Sequence, residues 1–106
     1  MKSFTVRMCG RPIHVRFDAN LMEEGNWGSW VPGLRLIKLY PSSVPVEVAD
    51  AFIHELLHAA ENILGLQLGE PVVKALGAAL AEPLMSPAAR HILAGLPVGP
   101  KKPPRP

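Results

Sequence analysis

Apolar and polar residues alternate strictly at the start of the chain and recur at helical spacing further on. Thr5-Val6-Arg7-Met8 and Ile13-His14-Val15-Arg16-Phe17 follow a period of two, with Cys9-Gly10-Arg11 as a turn-like break between them. This predicts two half-buried strands, residues 3–8 and 12–17, joined as a hairpin. Residues 18–33 carry Asp18, Asn20, Gly25, Asn26, Gly28, Pro32 and Gly33 and read as a loop, with Trp27 and Trp30 as its anchors on the core. Leu34 to Tyr40 reads as a third strand, stopped by Pro41.

The period then changes. Ser42-Ser43-Val44-Pro45 supplies an N-cap and a proline suited to a first helical turn. A helix is predicted from about Pro45 to Leu64, with Gly65 as its C-terminal cap. With 100° per residue and His54 as origin, Glu47, Asp50, His58 and Glu61 fall within about 40° of it. Most of the remaining circumference is apolar, so the helix is largely buried and bears one narrow polar stripe. A short link leads to a second helix, about Glu70 to Leu84, with Pro71 in its first turn. Ser86-Pro87 starts a third, short helix that runs to about Leu96. The pattern therefore predicts an α+β domain over residues 1–96, with a three-stranded antiparallel sheet packed on the first helix. A second, antiparallel helix and the short third one complete it. The tail, residues 97–106, holds five prolines and three basic residues and is expected to be disordered.

Composition narrows this picture only a little. Of the 106 residues, 48% are hydrophobic, enough for one core. The net charge is +2, but Lys101, Lys102 and Arg105 sit in the tail, so the rest carries −1. The body is not a basic nucleic-acid binder. The single cysteine, Cys9, allows no internal disulfide. No apolar run reaches the ~18 residues of a membrane span, and the N-terminus lacks a signal-peptide pattern. A soluble, cytoplasmic protein is expected, with no membrane partner and an oligomeric state that the sequence leaves open.

The candidate chemistry lies in the polar stripe. His54-Glu55-Leu56-Leu57-His58 reads H-E-x-x-H, and residues i and i+4 share a helix face, so both imidazoles can reach one metal ion. Glu55 is placed to take a proton from a water on that metal. Asp50, one turn before His54, could accept its second ring N–H. Equally, the stripe could be the solvent face of an amphipathic helix.

Ala51-Phe52-Ile53-His54-Glu55-Leu56-Leu57-His58-Ala59-Ala60-Glu61, then Gly65-Leu66-Gln67-Leu68-Gly69-Glu70 and the spaced Val72, Leu76 and Leu80, resemble the minimal zincin metallopeptidases. The nearest likeness is to the short proteins encoded in bacteriophages and prophages, near the minigluzincins and the SprT-like and ImmA-like peptidases. The resemblance covers roughly residues 3–85. It implies a zincin-like fold, a Zn2+ cofactor, His54 and His58 as ligands, Glu55 as general base and acid, and a peptide or protein substrate. It also implies a third ligand, a glutamate from the second helix. With the helices antiparallel about residues 67–68, the position facing His58 is near Gly77, which cannot ligate. Glu70 is the leading candidate in its place. Glu61 and Glu82 are its rivals, beside His91, a partner chain or no third protein ligand. A non-catalytic metal-binding or interaction module on the same scaffold is the alternative function.

Overall fold

Cys9 and Gly10 both have positive φ, 52° and 77°, the backbone of a two-residue hairpin turn. They join β1 (Phe4–Met8) to β2 (Arg11–Phe17), which pair antiparallel with Phe4 opposite Val15 and Met8 opposite Arg11. The predicted hairpin is therefore present in this computed structural model, which describes residues 2–24 and 26–96. The tail lies outside the described residues.

The sheet differs from the prediction. It has four strands and is mixed, in the order β1-β2-β4-β3. The third predicted strand is β4 (Leu36–Leu39), and it runs parallel to β2, with Val15 opposite Ile37. Parallel pairing needs a long crossover, and residues 18–35 supply one. That stretch, read as a loop, also contains β3 (Gly28–Val31), antiparallel to β4. All four β3 residues are half-buried, so the strand has no alternation to betray it. It is an edge strand and needs a partner on one side only.

The sheet is covered on one face by α1 (Pro45–Leu64). Ile13, Val15, Ile37 and Leu39 are at most 1% exposed and meet Ala51 of α1, with Phe52, Leu56 and Ile63 packed round them. Each such side chain contributes about 1.5–3 kcal/mol by leaving water. The helix starts without a side-chain cap on Val44. Ser42 instead accepts from the Val44 N–H at 3.1 Å and donates to Glu47 at 2.7 Å. Gly65 ends α1 in the left-handed region, φ 68°, as expected of a C-terminal cap.

α2 (Glu70–Met85) lies against α1 and buries Val73, Gly77 and Ala81, one residue per turn. α3 (Pro87–Gly95) follows, with Ser86 accepting from the Ala89 N–H. A Cβ on Gly77 would lie 2.8 Å from Asp50 Oδ1, 3.3 Å from the Asp50 carbonyl oxygen and 3.5 Å from His54 Cβ. Gly77 thus faces Asp50 and His54, a turn before the position assigned to it from the sequence. Its lack of a side chain is what lets the two helices approach. Among the described residues no helix is long and apolar enough to cross a membrane.

Gly77→Leu should separate α2 from α1 and lower stability by about 2 kcal/mol, within the usual range for overpacking. Ala79→Leu, on the exposed side of the same helix, should stay within about 0.5 kcal/mol of wild type. Urea denaturation of the two variants measures the difference.

Candidate metal centre

Beyond the exposed Glu47, the polar stripe of α1 is half-buried. It looks into the gap between β3 and the first turn of α2, and the His54 and His58 side chains are 22% and 27% exposed. Spacing of four residues brings the two rings together edge to face, with centroids 4.9 Å apart and Nε2 atoms 3.2 Å apart. Glu70 reaches both from the start of α2. Its Oε1 lies 2.8 Å from His54 Nε2 and its Oε2 3.0 Å from His58 Nε2.

These three residues could hold a metal ion. Ligands ~2.0–2.1 Å from a tetrahedral ion lie about 3.3 Å from one another. The two Nε2 atoms, 3.2 Å apart, are close to that spacing, and the Glu70 carboxylate spans the pair with one oxygen near each. Lone-pair-bearing atoms brought so close repel unless a proton or a metal cation lies among them. The donor set, two imidazole nitrogens and one carboxylate, suits a borderline-soft divalent ion.

Glu61, the first rival for third ligand, does something else. Its Oε1 is 2.8 Å from His58 Nδ1. Its Oε2 accepts from the backbone N–H of Leu68 at 2.8 Å and of Gly69 at 3.3 Å. The His58 hydrogen bond, then the Leu68 N–H, hold its carboxyl below the usual glutamate range, with a smaller part from the Gly69 N–H. A proton on Nδ1, donated to Glu61, leaves the His58 Nε2 lone pair free for a metal.

Glu55 points the other way, toward β3. It is 7% exposed and makes no hydrogen bond among the described residues. Burial raises its pKa, against the opposing pull of His54 and His58; Glu70 adds a further rise. Gly28 makes room for it, since a Cβ there would lie 2.9 Å from Glu55 Cγ and 3.1 Å from Oε2. Two open cavities of about 570 and 620 Å3 meet at this point and share Asn26, Gly28, His54 and Glu55. The carboxylate and the three-residue cluster thus lie in one cleft.

The other candidates stand apart. Glu82, on an exposed part of α2, and His91, on exposed α3, are not in the cluster. Asp50 packs on Gly77 and makes no hydrogen bond to His54 among the described residues. Tyr40 packs edge-on against Trp27, which is 46% exposed, while Trp30 packs on the core as expected. His14 is exposed on β2, 3.3 Å from its cross-strand neighbour Thr5, and Cys9 is exposed in the hairpin turn. Sequence reasoning missed Gly28 because its value is only the space it leaves. It also missed the Leu68 and Gly69 N–H groups, which carry no residue-type signal. Comparison with models of known families, with curated proteins and with solved structures gives no match.

If the cluster holds a divalent ion, Glu70→Ala should weaken its binding at least about 100-fold, whereas Glu82→Ala and His91→Ala should leave it unchanged, as read by chelator competition. Glu55→Gln should stabilise the metal-free protein at pH 7 by about 1 kcal/mol, because a buried unpaired charge is removed. A raised folded pKa costs stability as the pH climbs above the ordinary value of 4.5. The advantage of the variant should therefore vanish below that pH in thermal melts.

Proposed function

We propose that this protein is a zinc-dependent peptidase. The observation that carries the reading is the buried, unpaired Glu55 carboxyl in the same cleft as the convergent His54, His58 and Glu70. Glu55 lines both cavities, and a cleft-wall carboxyl that no protein donor occupies is free to bond a water or a substrate there. Two nitrogens and an oxygen suit zinc and leave its fourth position for water or substrate. When bound, zinc supplies a Lewis acid that lowers the pKa of water and polarises a peptide carbonyl.

The chain's own residues supply the rest. His54 Nε2, His58 Nε2 and Glu70 would hold the ion, with Glu61 fixing the His58 ring. A Glu55 carboxylate oxygen takes the proton of the attacking water, keeps it while the peptide C–N bond breaks, and delivers it to the leaving amine nitrogen. A carboxyl whose pKa is raised by burial is suited to both halves of that transfer. β3 pairs with β4 along one edge only, and Gly28, Ser29 and Trp30 line the cleft. An extended peptide can add to its free edge as a further strand, which brings a scissile bond past Glu55.

Zinc-loaded protein should cleave members of a mixed peptide library, read by mass spectrometry. Glu55→Gln should keep one zinc per chain and lose about 10²- to 10⁴-fold in rate. Absence of zinc binding, or full activity in the variant, would contradict the reading. Bound zinc with no cleavage of any peptide would favour the non-catalytic module on the same scaffold.

A further inference from the structure

The Glu61 side chain touches both His58 and the link that leads to Glu70. His58 is a residue of α1. Glu70 belongs to α2, and the last residues before it are Leu68 and Gly69. The Glu61 carboxylate holds His58 with one oxygen and the backbone N–H groups of Leu68 and Gly69 with the other. We propose that Glu61 is a positioning residue that couples the orientation of His58 to the placement of Glu70, so that a single carboxylate assembles the site from two helices. The inference rests on the metal reading above and extends it to a residue that ligates nothing.

The chemistry requires a carboxylate. Both oxygens of an ionised glutamate accept, so one takes the His58 Nδ1–H while the other takes the two backbone N–H groups. Glutamine has one accepting oxygen and one donating nitrogen. If its oxygen stays with Leu68 and Gly69, its NH2 meets His58 Nδ1 and favours the tautomer with the proton on Nε2, which cannot ligate. If its oxygen stays with His58, its NH2 faces two N–H donors and the link is released. Aspartate is one methylene too short to span the same distance.

Zinc affinity by chelator competition, read for wild type, Glu61→Gln and Glu61→Ala, tests the metal half. Both variants should lose about 10- to 100-fold, the usual effect of a partner behind a metal ligand. NMR of the metal-free proteins tests the coupling itself. In wild type His58 should carry its proton on Nδ1, and the Leu68 and Gly69 amides should be protected from exchange. Glu61→Ala should lose both signatures, with exchange at the two amides at least about tenfold faster. Glu61→Gln should lose one or the other. A purely structural glutamate would lower the melting temperature without moving the His58 tautomer. Zinc affinity within about twofold of wild type in both variants, or an unchanged tautomer and unchanged amide protection, would overturn the proposal. If wild type itself binds no zinc, the peptidase reading fails. The tautomer and exchange measurements still decide whether Glu61 holds His58 and the link together.

Discussion

Everything in the cleft depends on how closely α2 lies against α1. The three ligand candidates come from two helices, and Glu70 reaches the histidines only if the first turn of α2 is held beside the middle of α1. Three small or compact residues, Val73, Gly77 and Ala81, make that approach possible. Gly77 is the tightest point, with Asp50 and His54 against the space where a side chain would be. The same glycine that looked like a missing ligand is a reason the ligand two turns earlier can work.

The second constraint is polar. A narrow stripe of ionisable groups sits on a helix whose other faces are buried against a sheet and a second helix. Burying such groups costs stability unless they are paired. His54, His58, Glu61 and Glu70 satisfy one another, and Glu61 also satisfies two backbone N–H groups of the link. Glu55 is the exception. It stands beside the stripe, is the most buried charge-bearing side chain of α1 and has no partner among the described residues. Glutamine or an apolar residue there would avoid the cost of burying most of a carboxylate. The place of Glu55 beside a set of convergent atoms that could ligate a metal is what a general base would require.

Much of this was legible in the sequence. The two histidines follow from spacing alone, because one helical turn fixes their common face, and Glu55 follows from the H-E-x-x-H pattern. The three helices and the hairpin follow from period, proline and glycine. Glu70 was favoured among the acidic residues on helix geometry, and it is the one that joins the cluster. Three features were not legible. β3 is a four-residue edge strand without alternation, preceded by Trp27 and followed by Pro32, so its pairing is decided by β4 rather than by its own residues. The parallel pairing of β2 and β4 depends on where a long crossover returns the chain. The double role of Glu61 depends on backbone N–H groups seven and eight residues away, which no residue type announces. The facing position of α2 was misplaced by a turn because a link of five residues does not by itself fix where two antiparallel helices come into register.

The most direct test of the account is a crystal structure of zinc-loaded protein with the metal located by its anomalous scattering. One zinc per chain is expected, with His54 Nε2, His58 Nε2 and a Glu70 oxygen each ~2.0–2.2 Å away. Glu61 should remain on His58 Nδ1 and the Leu68 and Gly69 N–H groups, and Glu55 should be left unligated in the cleft. Zinc held by Glu61 or by Glu55, or zinc found away from His54 and His58, would contradict it.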